Sequence, residues 1–182
     1  KNINNLFFKK EHFYYACSKN NLNIIKYIYN NLHNKKIDFL EALNSSTKQY
    51  NLKLINWLSG FYKYTKEDYY YSLKHCIIND NPKLFKKIVH DQNLDLSCNN
   101  YDILLHSIKN GKCKILKFIL SKINDINYSD DMIKYSYLSN NNKILKLIIN
   151  KQNKYQGNIF DILNNVIKLG YMNSFNYLLN FE

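Results

Sequence analysis

Arginine is absent from this sequence, and proline and glycine are scarce, with one and four residues in 182. No run approaches the roughly 18 consecutive apolar residues that predict a membrane-spanning helix. Hydrophobic residues make up 46% of the chain, which excludes disorder over most of its length. The four cysteines are widely spaced and form no Cys-x-x-Cys pair, which argues against a zinc or disulfide framework. Such cysteines are typical of reduced thiols, so we expect an intracellular protein.

The formal net charge is +12, and lysine supplies all 26 basic residues. Lysine, asparagine, isoleucine and tyrosine dominate, and all four have A/T-rich codons. The basic charge therefore has two explanations, a genome rich in A and T or selection for an acidic partner.

One pattern recurs six times. It begins with the segment from Ala16 to Ile28 and returns at intervals of 30, 30, 31, 29 and 30 residues. We call the first residue of each copy the anchor, and we number other positions relative to it. The anchors are Ala16, Ser46, Cys76, Ser107, Ser136 and Val166. A period held this closely predicts a repeat protein.

Apolar residues recur at positions −3, +9 and +12 of every copy, and positions +9 and +12 lie on one stripe of a helix. The anchor is small in five copies, which suits a place where helices approach closely. Turn residues such as Asn20 and Gly111 separate two helical patterns, and both asparagine and glycine tolerate the left-handed backbone of a tight turn. Each copy therefore predicts a first helix around the anchor, a turn and a second helix. Because neither helix buries its apolar face alone, the copies are expected to stack into a solenoid.

These columns resemble the ankyrin repeat, in the variant found in large DNA viruses of amoebae. The resemblance is carried by the segments Tyr71 to Cys76, Leu22 to Ile28 and Ser107 to Ile119, and it covers nearly the whole chain. It implies an all-α solenoid of about six helix-turn-helix repeats. The period of 30 is shorter than the usual 33 residues, so the β-hairpin fingers are expected to be short or absent. We expect residues 1–182 to form a single array. The chain begins at Lys1 and its last pattern runs almost to Glu182, so we also expect a fragment of a longer chain.

No catalytic or phosphate-binding motif is recognisable in the sequence. Acidic residues recur at position −5, where they favour the start of the first helix. His75 and His106 share position −1 in adjacent copies, beside Cys76, and a metal site there is the weaker alternative to partly buried helix side chains. We expect no enzyme, no cofactor and no small-molecule substrate.

Lysine recurs at positions +7 and +10, which are neighbours on the second helix. These lysines are Lys26, Lys53, Lys83, Lys86, Lys114, Lys117, Lys143 and Lys146. The two rows would attract a linear polyanion or an acidic protein surface, with a solvated outer face as the alternative. Because lysine lacks the planar fork of arginine, only salt-sensitive and non-specific binding is expected.

Tyrosine accounts for 17 residues, and several lie at or just before a first helix. In ankyrin arrays that edge lines the concave face that binds partners, and exposed tyrosines make good interface anchors. The residues proposed to bind a partner are Tyr14, Tyr15, Tyr69, Tyr70, Tyr71, His75 and His106, with core packing as the alternative.

The expected function is a scaffold that binds another protein through the concave face of first helices and loops. The resemblance implies a host or virion protein as the partner. Electrostatic binding of nucleic acid or an acidic polymer along the lysine rows is the second hypothesis, and a packed spacer in a larger assembly is the third. No membrane partner is expected.

Overall fold

The computed structural model describes residues 8–48, 52–124, 126, 128–151 and 159–179. Within them the chain forms twelve α-helices and no extended strand, and a single β-bridge joins Phe8 to Leu32. The helices are α1 (Lys10–Lys19), α2 (Leu22–Asn30), α3 (Phe39–Ser46), α4 (Leu52–Ser59), α5 (Lys66–Ile78), α6 (Pro82–Asp91), α7 (Cys98–Lys109), α8 (Cys113–Leu120), α9 (Asp130–Leu138), α10 (Asn142–Lys151), α11 (Ile159–Lys168) and α12 (Met172–Leu179).

The helices alternate as the repeat predicted. Each odd-numbered helix contains one anchor and is the first helix of its repeat, and each even-numbered helix is the second. The expectation of an all-α, ankyrin-like fold built from six helix pairs is therefore confirmed. In the part of the chain that the structure describes, no β-hairpin finger is formed, since the one bridge is parallel and lies outside any strand.

The chain divides into two compact units. The first, within Lys1–Leu94, contains repeats 1–3, and the second, within Asp95–Glu182, contains repeats 4–6. In the first unit α1 packs on α3 and α3 on α5, while in the second α7 packs on α9 and α9 on α11. First helices thus stack on first helices within each unit. The single array over residues 1–182 stays a prediction.

A left-handed residue closes the turn between the two helices of a repeat. It lies at position +4 in every repeat whose turn is described, and its φ ranges from 48° to 68°. The residues are Asn20, Asp80, Gly111, Asn140 and Gly170. Asparagine, aspartate and glycine tolerate this region best, which explains why the turn column holds these types. In repeats 1 and 3 the next residue, Asn21 or Asn81, caps the second helix by accepting a hydrogen bond from the N–H three residues on.

Positions −3, +9 and +12 form the core, as predicted. Phe13, Leu43 and Leu73 at position −3 are fully buried, and so is the anchor Ser107. The Ser107 hydroxyl donates 2.8 Å to the carbonyl of Leu104, so its burial leaves its donor satisfied.

Polar side chains tie neighbouring repeats together. In the first unit the Asn81 amide donates to the Thr47 carbonyl and the Asn79 amide to the Thr47 hydroxyl, each over 3.0 Å. In the second unit the Asn141 amide donates 3.3 Å to the Gly111 carbonyl. The asparagines of the turn therefore both start a second helix and bind the preceding repeat.

We predict that Gly111→Ala lowers the free energy of unfolding by about 1 kcal/mol, because its φ of +68° disfavours a side chain with a Cβ. No atom lies within 4 Å of the added methyl group, so the effect comes from the backbone and not from a clash. Gly111→Asn is the matched control and should cost less, since Asn140 occupies the same position natively. Urea denaturation of the three proteins checks this, and an equal loss for alanine and asparagine would contradict it.

Candidate interaction surfaces

Positions −5 and −1 of the first helices form an outward-facing row in each unit. Position −5 is exposed in five repeats and half-buried in repeat 4. Tyr15, at −1, is 65% exposed and Tyr71, at −5, is 51% exposed. The row is Glu11 with Tyr15, Glu41 with Ser45, Tyr71 with His75, Asp102 with His106, Asp131 with Tyr135, and Asp161 with Asn165. This first-helix row is mostly acidic at −5 and largely aromatic or histidine at −1.

Some of the residues proposed to bind a partner lie in this row. The rings of Tyr71 and His75, one turn apart on α5, lie 5.2 Å apart between centroids. The Lys19 amine lies 5.2 Å from the Tyr15 ring, within cation–π range. His106 is half-buried on α7, in the second unit. The exposed members therefore form two patches in the first unit, one on α1 and one on α5.

Other predicted tyrosines pack inside the first unit. Tyr14 is half-buried, and its hydroxyl accepts a 2.9 Å hydrogen bond from the Asp38 backbone N–H, which joins repeat 1 to repeat 2. Tyr69 is 8% exposed, and its ring lies 5.7 Å from the Tyr64 ring. Burial raises the pKa of both Tyr14 and Tyr69. These two side chains stabilise the fold, and Tyr70 beside them is half-buried.

An aromatic cluster that was not predicted from the sequence lies at the loop that follows α4. Phe61 is 45% exposed and Tyr62 is 41% exposed, and both lie just after the C-terminal end of α4. The Phe61 ring lies 4.8 Å from both Trp57 and Tyr29, and it stacks on Phe39 at 5.8 Å with an interplanar angle of 9°. We call these five residues the loop aromatic cluster. Adjacent aromatic residues in a loop, directly after Gly60, are the signal that could have found it.

All eight lysines of positions +7 and +10 are exposed, as predicted. Among the described residues, Lys26, Lys53, Lys83, Lys114, Lys117 and Lys143 form no ion pair with a carboxylate. The Lys146 amine instead lies 5.0 Å from the ring of Tyr177 in the next repeat. Second helices thus present a positive surface, while first helices present carboxylates.

Buried thiols provide no nucleophile. Burial raises the pKa of Cys17 and of Cys76 to about 12, so both remain protonated near neutral pH. Among the described residues, no group of three or more histidine, cysteine, aspartate or glutamate side chains is placed to hold a metal ion. None of the helices that the structure describes has the length and apolar character to cross a membrane.

The chain is similar to a protein of Acanthamoeba polyphaga mimivirus whose name identifies it as an ankyrin repeat protein. The two are 31% identical over 127 residues, which cover 63% of this chain and 34% of the relative. The chain therefore spans about a third of the length of that relative. No protein-family model matches the chain, and no solved structure matches it significantly. The similarity supports the ankyrin-type interpretation of the repeats without specifying a subtype.

We predict that a thiol reagent at pH 8 labels Cys98 and Cys113 well before Cys17 and Cys76. The first two are half-buried, whereas the other two are buried with their pKa raised to about 12. At pH 8 a pKa of about 12 leaves roughly one thiolate in ten thousand, so reaction must await opening of the fold. Mass spectrometry of native and urea-unfolded protein measures this, and equally fast labelling of all four native cysteines would contradict it.

Proposed function

We propose that this chain is a non-catalytic scaffold that binds another protein through its first-helix row and adjoining loops. The observation that carries the proposal is the exposure of large aromatic side chains beside the carboxylates of the row. Aromatic residues are enriched in the cores of protein interfaces, where they bury area at little entropic cost. The similarity to an ankyrin repeat protein supports the same function class.

Tyr15 and Tyr71 are the proposed contact residues of the row. Tyr15 is 65% exposed and Tyr71 is 51% exposed, so each has area left to bury against a partner. His75 is half-buried beside Tyr71 in the first unit, and His106 is half-buried in the second unit. Tyr14 and Tyr69 support it from inside, because their side chains already pack within the first unit.

The loop aromatic cluster is a second proposed contact patch in the first unit. Phe61 and Tyr62 expose part of their rings to solvent, and the rings of Trp57 and Tyr29 pack against Phe61. A ring fixed in this way loses little further freedom on binding, which favours affinity.

The charge of the row indicates what the partner presents. Four carboxylates of position −5, on Glu11, Glu41, Asp131 and Asp161, are exposed. An apolar or aromatic surface bordered by basic groups would complement them. By resemblance, such a partner would be a host or virion protein inside the infected cell, and the repeats would be of the short-period viral type.

The second candidate function is non-specific binding of a polyanion along the lysine rows. Lys114, Lys117, Lys143 and Lys146 lie on α8 and α10 of one unit and are all exposed, which is the observation in its favour. Lysine supplies charge without the bidentate geometry of arginine, so affinity would depend on salt and not on sequence.

We predict that Tyr15→Ala and Tyr71→Ala each weaken binding of a partner captured from host lysate at least about fivefold, a loss of about 1 kcal/mol that only a minority of interface residues cause. The matched control is the double variant that carries both Lys114→Gln and Lys117→Gln. It should bind the captured partner as well as wild type does at 0.5 M salt after nuclease treatment. Retention by beads carrying each variant is quantified by mass spectrometry.

The opposite result would support polyanion binding along the lysine rows. If Lys114→Gln with Lys117→Gln removes the captured material while both tyrosine variants keep it, the first-helix proposal is wrong. For a single-stranded oligonucleotide, the slope of log affinity against log salt should then fall by about 1.4 for the two lost lysines.

A further inference from the structure

The loop aromatic cluster lies where two loops of the first unit meet. Residues 31–38 connect α2 to α3, and residues 60–65 connect α4 to α5. Phe61 and Tyr62, the most exposed rings of the cluster, belong to repeat 2. That repeat packs on repeat 1 through α1 and α3 and on repeat 3 through α3 and α5. Because repeat 2 has a neighbour on both sides, the exposure of these rings does not come from a missing repeat.

Tyr64 joins the second loop to α3. Its side chain is buried, its hydroxyl donates 2.8 Å to the carbonyl of Phe39, and its ring lies 5.0 Å from the ring of Tyr62. On the inner side of the cluster, the Trp57 ring lies 6.4 Å from the fully buried Phe13. The exposed rings are therefore fixed between the core and a hydrogen-bonded loop, and a ligand would have to order little of them on binding.

The rings of the cluster pack on one another. Phe61 lies close to three other rings, and Phe39 stacks on both Phe61 and Tyr62 at interplanar angles of 9° and 11°. A nucleic-acid base stacks on an open ring face, and this packing leaves few such faces. The partial ring surface that stays exposed suits a small and rigid apolar group, such as the pyrrolidine ring of proline.

The cluster also carries hydrogen-bond donors. Among the described residues, neither the Trp57 indole N–H nor the Tyr29 hydroxyl makes a hydrogen bond, and neither is buried without a partner. An extended segment in the polyproline II conformation keeps all its backbone carbonyls open, and its prolines have no N–H of their own to satisfy. N–H and O–H donors among aromatic rings therefore match such a segment.

Lysine borders the cluster. Lys35, Lys36 and Lys63 lie in the two loops and are all exposed. The Lys35 amine lies 5.3 Å from the ring of Tyr29, within cation–π range. The two loops contain one carboxylate, on Asp38, and its Oδ1 already accepts hydrogen bonds from two backbone N–H groups at the start of α3. The border is therefore positive and complements acidic side chains.

We propose that the loop aromatic cluster binds a short, extended segment of the partner protein that combines prolines with acidic side chains. The proline rings pack on the exposed parts of Phe61 and Tyr62, and the Trp57 indole N–H donates to a backbone carbonyl of the segment. Its acidic side chains pair with Lys35 and Lys63. A polyproline II segment is largely preformed before it binds, so little ordering opposes binding. This inference rests on the proposed function, because it names the kind of segment that one of the two contact patches takes.

The test uses the fluorescence of Trp57, which is the one tryptophan of the chain and belongs to the cluster. The probe is a synthetic peptide, Glu-Glu-Pro-Pro-Leu-Pro-Pro-Glu-Glu, which has no aromatic residue and so leaves the emission to the protein. Titration of the whole chain with this peptide should change the Trp57 emission until the site is saturated. A peptide with alanine in place of the prolines, and another with lysine in place of the glutamates, should each bind at least about fivefold more weakly.

Two variants of the protein locate the site. Tyr62→Ala should weaken binding of the acidic proline peptide at least about fivefold, because it removes exposed ring surface. Lys63→Glu should weaken the same binding about threefold and should strengthen binding of the lysine-flanked peptide, because it reverses the charge at the border. The Lys63 side chain is exposed, so this variant still tests the proposal if Tyr62→Ala disturbs the loop.

Lys134→Glu is the matched control. It changes the net charge of the chain by the same amount as Lys63→Glu, but on an exposed side chain of α9 in the second unit. It should bind all three peptides as wild type does. Equal weakening by Lys134→Glu and Lys63→Glu would overturn the proposal, since net charge and not the border of the cluster would then control binding.

Three other results would overturn the proposal. The first is equal binding of the alanine-substituted peptide, and the second is an unchanged Trp57 emission with every peptide at millimolar concentration. The third is tighter binding of oligothymidylate than of the acidic proline peptide, which would indicate a nucleic-acid site at the cluster. The scaffold proposal is tested separately by Tyr15→Ala and Tyr71→Ala, which lie outside the cluster, so the failure of either proposal can be recognised without the other.

Discussion

The packing of each repeat against the next one of its unit is the interaction on which this structure depends. A pair of short helices cannot enclose its own apolar side chains, so each repeat of a unit is stable only against its neighbours. The mostly small anchor is consistent with this requirement, since Ser107 and Ser136 are fully buried where neighbouring first helices pack. The left-handed residue of the turn follows as well, because it lets the second helix return along the first.

Stacking fixes some positions and leaves others free for function. In the inner repeats, the side chains at positions −3, +1, +8, +9 and +12 are buried. On many of the helices, the side chains at positions −5, −1, +7 and +10 face outward. The outward positions differ in character, with carboxylates and aromatic rings on first helices and lysine on second helices. Two surfaces of opposite charge therefore lie on different residues within each unit.

Much of the fold could be predicted from the sequence, because repetition averages out local ambiguity. Six copies of position −3 show that Leu43 and Leu104 lie in the core, and the asparagine and glycine residues of the turn reveal the helix boundaries. The lysine rows were also correctly expected to be exposed. Helical periodicity, however, gives the face of a side chain and not the neighbour that covers it. It could not distinguish Tyr69, which is buried, from Tyr71, two residues later and exposed.

The loop aromatic cluster escaped prediction for a related reason. Phe61 and Tyr62 lie outside the repeated columns, and Tyr29 joins them only once repeats 1 and 2 are stacked.

Native-state hydrogen exchange in dilute solution tests the dependence on neighbouring repeats most directly. The account predicts that amides of α11 and α12 exchange faster than those of α9 and α10, because the inner pair packs on repeats at both sides. Equal or greater protection of α11 and α12 would contradict it, since packing on a second neighbour would then add no stability.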